Sequence, residues 1–218
     1  MKTMIRRVKE QKLTYLSDER LVRIASLCMH VERKRIPGMI IEAGCALGGS
    51  SIVIAATKAK SRELRVYDVF GMIPPPSEKD QEDVHKRYDV IRSGKSKGID
   101  GDAYYGYVPN LYERVVESFR EAGYAPEENS VRLVKGLLQE TLNVNESVSL
   151  AHIDVDWYDP VHVSLERIVP HVSRGGSIIL DDYLDWSGCR QAVDDYFRGR
   201  EDSFRFDTSS GSLLVRKL

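Results

Sequence analysis

A chain of 218 residues, 42% hydrophobic and 30% charged, has the make-up of one globular domain over 1–218 and excludes disordered, collagen-like and disulfide-scaffold classes. Its 32 basic and 33 acidic residues leave a formal net charge of −1, which gives no electrostatic footprint for nucleic acid and makes a small molecule the expected partner. No run nears the roughly 18 apolar residues of a membrane span. Met1-Lys2-Thr3-Met4-Ile5-Arg6-Arg7 lacks the apolar core and cleavage site of a signal peptide, and Cys28, Cys45 and Cys189 are few and widely spaced. A cytoplasmic protein without a membrane anchor is expected.

The first regular element read from the sequence is a helix over 18–35, capped by Asp18, with Leu21, Ile24, Ala25, Leu27 and Cys28 at helical spacing and Pro37-Gly38 as its stop; residues 1–37 are thus an N-terminal helical segment. A short strand at Met39-Ile40-Ile41 runs into Glu42-Ala43-Gly44-Cys45-Ala46-Leu47-Gly48-Gly49-Ser50-Ser51, and a helix follows through Ile52, Val53, Ala55 and Ala56. Further strands are predicted at 64–67, 131–134, 148–153 and 177–180. Helices are predicted over 110–122, with Asn110 as cap and Gly123 as stop, and over 162–169 and 191–197. Phe204-Arg205-Phe206 and Leu213-Leu214-Val215 flank Ser209-Ser210-Gly211 as a terminal antiparallel hairpin. Strands separated by helices make an α/β, doubly wound, mostly parallel sheet. Residues 70–109 break the rhythm with Pro74-Pro75-Pro76, a charged run from Glu78 to Lys97, and Tyr104, Tyr105 and Tyr107; a connection of that length reads as a lid insertion.

The glycine-rich turn after the first strand lets backbone approach a cofactor, and the helix opening at Ser50 offers free N–H groups. Asp68, closing the next strand, stands where a carboxylate accepts from ribose hydroxyls. No Lys precedes Ser50, which argues against a P-loop, and Ala46 interrupts the Gly-x-Gly-x-x-Gly of a nicotinamide dehydrogenase. Glu42 suits a cofactor bearing a sulfonium or amino group, and S-adenosylmethionine carries both. Asp154 follows the fourth strand, and Asp181 and Asp182 follow the fifth. In a parallel sheet such ends lie side by side, and three converging carboxylates call for a hard cation such as Mg²⁺.

With these residues together, the sequence resembles the macrocin O-methyltransferase (TylF-type) family of class I S-adenosylmethionine-dependent methyltransferases. The likeness runs from about Met39 to Leu218 and is carried by Glu42-Ala43-Gly44 with Gly48-Gly49-Ser50-Ser51; Tyr67-Asp68-Val69-Phe70-Gly71-Met72; Gly136 to Leu142; Ile153-Asp154-Val155-Asp156-Trp157-Tyr158; Asp181-Asp182-Tyr183; and Gly188 to Asp195. It implies a Rossmann-like, seven-stranded sheet with an antiparallel last strand. It also implies S-adenosylmethionine over the turn formed by Glu42, Gly44, Cys45, Ala46, Gly49, Ser50 and Ser51, its ribose on Asp68, and Mg²⁺ on Asp154, Asp181 and Asp182. Family precedent and the amphipathic N-terminal helix point to a homo-oligomer.

The expected reaction is methyl transfer to a hydroxyl of a small molecule: a sugar or another vicinal-diol or phenolic natural-product group. Asp154 is the first choice of proton acceptor, ahead of Asp156 and His152, whose place on a buried-type strand suits a core histidine better. Trp157 and Tyr183 are expected to wall the acceptor pocket, with Tyr104 and Tyr105 closing over it. Arg190 and Gln191 are weaker candidates for acceptor contact, and Lys86, Arg87 and Arg92 for an anionic acceptor. The competing readings are an NAD-dependent oxidoreductase, disfavoured by the lack of a Tyr-x-x-x-Lys pair, and a noncatalytic nucleoside-binding module, which needs no acidic cluster.

Overall fold

Seven strands form one sheet in the order β3-β2-β1-β4-β5-β7-β6: β1 Met39–Ala43, β2 Leu64–Asp68, β3 Val131–Lys135, β4 Val148–Ile153, β5 Val172–Leu180, β6 Phe204–Asp207 and β7 Leu213–Lys217. The computed structural model describes residues 1–218. β1 to β5 pair in parallel, and β7 runs antiparallel to both its neighbours, β5 and β6. The helices are α1 Lys2–Glu10, α2 Asp18–Arg33, α3 Gly49–Thr57, α4 Glu82–Arg92, α5 Leu111–Glu121, α6 Leu138–Thr141, α7 Tyr158–Ile168 and α8 Ser187–Phe197.

The period of two along each strand divides the core. Ile40, Leu64, Val66, Leu150 and Ile179 pack with α1, α2, α3 and α5, whereas Ile41, Ala43, Ala151, Ile153, Ile178 and Leu180 pack with α6, α7 and α8. Burial on both faces explains why these strands read as continuous apolar runs.

Several boundaries depart from the sequence reading. α1 was not anticipated as a separate element, although Ile5 and Val8 bury a short apolar stripe from it. Ser17, not Asp18, caps α2, its hydroxyl accepting from the N–H of Arg20. Asn110 precedes α5 in a left-handed conformation, φ 53°, and makes no side-chain cap bond. β5 begins five residues before the predicted 177, because Ser173-Arg174-Gly175-Gly176 has turn-like composition yet enters the sheet.

The lid insertion is built, not merely solvated. The charged run contains α4, whose Val84 and Ile91 are buried, and the insertion is tied to the two helices that follow β4 and β5. Asp80 Oδ1 accepts from the first N–H of α7, that of Tyr158, at 2.8 Å. Asp83 Oδ2 accepts from the first N–H of α8, that of Ser187, at 3.1 Å. Both carboxylates thereby meet N–H groups that their own helices leave unpaired. Asp80→Ala is expected to cost about 1 kcal/mol, the usual worth of a helix cap, and so lower Tm by roughly 2–4 °C. It should also speed protease cleavage within residues 78–98; calorimetry and limited proteolysis check both.

Candidate active site

β1 and β4 flank the point where strand order reverses, so a crevice opens at their carboxyl ends. The register fixes what stands there. Ala43, Ile153 and Leu180 are aligned across β1, β4 and β5, and the next residues are Gly44, Asp154 and Asp181. A cavity of about 610 Å³ lies over this row, lined by Gly44, Asp68, Asp154, Asp156, Asp181 and Asp182 among others.

Gly44 has φ +83°, and a Cβ on it would stand 2.0 Å from the carbonyl oxygen of Asp154, so only glycine fits. Beyond it, Asp68 Oδ2 accepts from the N–H groups of Cys45 at 2.8 Å and Ala46 at 3.2 Å, and Oδ1 from that of Phe70 at 2.7 Å. Asp68 therefore holds the glycine turn in shape while lining the cavity. Burial raises its pKa, and the three N–H groups work against that rise. Ala46, where the sequence departs from a glycine, adopts φ 46°. A left-handed backbone costs a non-glycine residue about 1–2 kcal/mol, partly offset by the greater unfolded-state freedom glycine brings. Ala46→Gly is accordingly expected to raise Tm by a few degrees, roughly 2–4 °C for about 1 kcal/mol, with S-adenosylhomocysteine affinity kept.

The cofactor-turn residues separate in space. Gly44, Cys45, Ala46 and Ser50 line the cavity; Glu42, Gly49 and Ser51 do not. Glu42 is fully buried between the Ser51 hydroxyl, which donates to Oε2, and His152 Nδ1, 2.8 Å from Oε1. Register explains this pair, since Glu42 and His152 are direct partners across β1 and β4. The N–H of Gly49 is taken by the carbonyl of Leu13 at 2.9 Å.

Asp154, Asp181 and Asp182 do converge: one ligand oxygen from each lies within 4.8 Å of the others. Asp181 Oδ1, 3.9 Å from His152 Nε2, and Asp182 Oδ2 are buried without a hydrogen-bond partner. Orphaned anionic oxygens cost free energy unless a cation meets them, so the donor set fits a hard divalent ion. Burial, then the charges of Asp156, Asp154 and Asp181, push the Asp182 carboxyl well above its usual range. The second oxygen of Asp181 accepts from Arg20 Nη1 at 2.6 Å, and Nη2 of the same arginine donates to Asp185 and to the carbonyl of Gly211.

Asp156 stands outside the trio but lines the cavity; burial, chiefly, raises its pKa to about 6. His152 is fully buried and does not reach the cavity. Burial alone would lower its pKa, but Asp181 and Glu42 outweigh that and raise it to about 10. Trp157 lines the cavity with its indole N–H on the carbonyl of Pro74 at 3.0 Å, and Tyr104 and Tyr105 pack together there with ring centroids 4.4 Å apart. Tyr183 does not line it: its hydroxyl donates to Asp194 at 2.9 Å. Arg190 turns back to the carbonyls of Tyr183 and Leu184, and Gln191 also lies outside the cavity. Of Lys86, Arg87 and Arg92, only Arg87 reaches it.

Thr14, Tyr15, Arg20 and Trp186 line the cavity and were missed by the sequence reading. No local pattern marks Arg20. Only the docking of α2 through Leu21, Ile24 and Cys28 brings its first turn to the strand ends.

Residues 7–203 match the family model for macrocin O-methyltransferase (TylF). The chain belongs to this family. It is an S-adenosylmethionine-dependent O-methyltransferase, and it has no helix long and apolar enough to cross a membrane. Among relatives of this TylF-family enzyme, demethyldecarbamoylnovobiocin O-methyltransferase of Streptomyces niveus is 26% identical over 194 residues, covering 84% of this chain and 67% of that protein. The 8-demethyl-8-(2,3-dimethoxy-alpha-L-rhamnosyl)-tetracenomycin-C 4'-O-methyltransferase of Streptomyces olivaceus is 32% identical over 171 residues, covering 76% of this chain and 59% of that protein. The solved structure of the O-methyltransferase NovP superposes with a TM-score of 0.75 at 25% identity, over 94% of this chain and 81% of that one.

Proposed function

We propose that this TylF-family enzyme methylates a hydroxyl of a sugar or phenolic natural product, at a site where Asp154, Asp181 and Asp182 hold Mg²⁺. The observation that carries this reading is that the acidic trio opens into the same cavity as the glycine turn and Asp68. Two of the relatives' names, those for the novobiocin and tetracenomycin compounds, are of O-methyltransferases acting on such products. Bound at the trio, Mg²⁺ would supply Lewis-acid stabilisation of an ionising hydroxyl and favour an acceptor with two neighbouring oxygens.

The chain's own residues do the rest. Cys45, Ala46 and Ser50 present the turn to the cofactor, and Asp68 offers its remaining lone pairs to the ribose. Arg20 fixes one oxygen of Asp181 and so orients the carboxylate beside Asp154 and Asp182. Asp156 takes the hydroxyl proton in place of Asp154, the first choice from sequence: Asp154 is committed to the trio, whereas Asp156 lines the cavity outside it. Trp157 and Tyr104 supply flat apolar walls against which a sugar or phenol face can pack and from which water is excluded.

Methyl transfer from labelled S-adenosylmethionine to a panel of sugar and catechol acceptors, with and without chelator, tests the proposal. Turnover should disappear on chelation and return with Mg²⁺; full activity in chelator would refute the metal-dependent reading.

A further inference from the structure

Two guanidinium groups line the cavity, and they are used differently. Arg20 is paired with Asp181 at 2.6 Å and Asp185 at 2.7 Å and also donates to the Gly211 carbonyl at 2.6 Å. On the lid helix α4, Lys86 pairs with Glu82 at 2.7 Å and Arg92 with Asp89 at 2.8 Å. Arg87, between them, is half-buried, faces the cavity, and has neither an ion pair nor a hydrogen bond. Its guanidinium lies 5.8 Å from the ring centroid of Tyr104, and its charge acts on Asp156 and Tyr15. That is the acceptor end. At the cofactor end, burial and the N–H groups of Cys45, Phe70 and Ala46 dominate the surroundings of Asp68.

A guanidinium with all five donors free tolerates that state only while water reaches it. A neutral acceptor filling the cavity would strip that water and give nothing back, whereas a carboxylate or phosphate would meet the planar fork with charge-assisted hydrogen bonds. We propose that Arg87 receives an anionic group carried by the acceptor, so that the substrate class is an acidic or phosphate-bearing hydroxyl compound. This rests on the reading that the hydroxyl acceptor occupies this cavity.

Calorimetric titration of enzyme loaded with S-adenosylhomocysteine and Mg²⁺ tests it with matched probes: protocatechuate against its amide, glucuronate against methyl glucoside, and glycerol phosphate against glycerol. The first two pairs report on a carboxylate and the third on a phosphate. The native enzyme should prefer the anionic member of at least one pair by about tenfold or more, the range expected for a hydrogen bond between charged groups. Arg87→Gln should collapse that ratio towards one, Arg87→Lys should restore part of it, and Lys86→Gln, outside the cavity, should leave it in place. The proposal is overturned if the native enzyme prefers no anionic probe, including the case in which none binds. It is equally overturned if the preference survives Arg87→Gln, or if that variant loses S-adenosylhomocysteine affinity by the same factor, which would put the anion on the cofactor. Methylation of neutral probes as fast as anionic ones would leave hydroxyl methylation standing while removing this assignment.

Discussion

Asp182→Asn is expected to reduce methyl transfer by more than about 100-fold, beyond what losing outer support of a metal site costs, while making the chelator-treated protein more heat-stable. The two effects have one origin. Asp182 is 7% exposed, one of its oxygens is orphaned, and its neighbours Asp156, Asp154 and Asp181 carry the same charge. Its native pKa is raised, so the folded state holds its proton to higher pH than the unfolded chain does. Without metal, this group's contribution therefore turns against folding as pH climbs from about 3.9, the unfolded carboxylate value, through the native one. Asparagine removes that loss, and relief of about 1 kcal/mol corresponds to a gain of roughly 2–4 °C in Tm. Scanning calorimetry in chelator near pH 5 and pH 8 should find the variant's advantage larger at the higher pH. Added Mg²⁺ should reverse the order by stabilising the native enzyme alone. A variant less stable than native in chelator at pH 8 would mean that the trio is a structural hydrogen-bonded cluster.

Asp156→Asn should lower kcat by about 10²–10⁴, the range for removal of a general base, with Mg²⁺ and S-adenosylhomocysteine still bound. Asparagine keeps the shape, loses the proton acceptor and removes the negative charge beside Asp182. The native profile of kcat against pH should show an acid limb, because the base must be ionised to work. The variant's residual rate should lack that limb. Unchanged kcat in the variant would return the role to Asp154.

How far the sequence discloses this site depends on the range over which each feature is encoded. The row of Gly44, Asp154 and Asp181 was legible because each follows an apolar run directly, and parallel pairing turns three separate strand ends into neighbours. The left-handed position at Ala46 left a trace as a missing glycine. Glu42, Gly49 and Ser51 were expected on the cofactor because they belong to the turn's motif, but side-chain direction is set by strand alternation and by packing against Leu13 and His152, which local pattern does not carry. Tyr183 misled for a similar reason: adjacency to Asp182 in the chain says nothing about the turn that sends its hydroxyl to Asp194. Arg20 and Asp80 act across separations of 161 and 78 residues, and only the tertiary fold reveals such partners.

The attachment of the lid has a consequence for engineering acceptor range. Because Asp80 and Asp83 close the amino ends of α7 and α8, residues 70–109 are not an independent cassette. A chimera that imports a relative's insertion will leave the buried N–H of Tyr158 without its acceptor, and α8 without its cap, unless both carboxylates travel with it. Grafts cut inside residues 84–107, downstream of both anchors, leave those contacts in place, and recombination libraries built with such crossover points should retain a larger share of folded members.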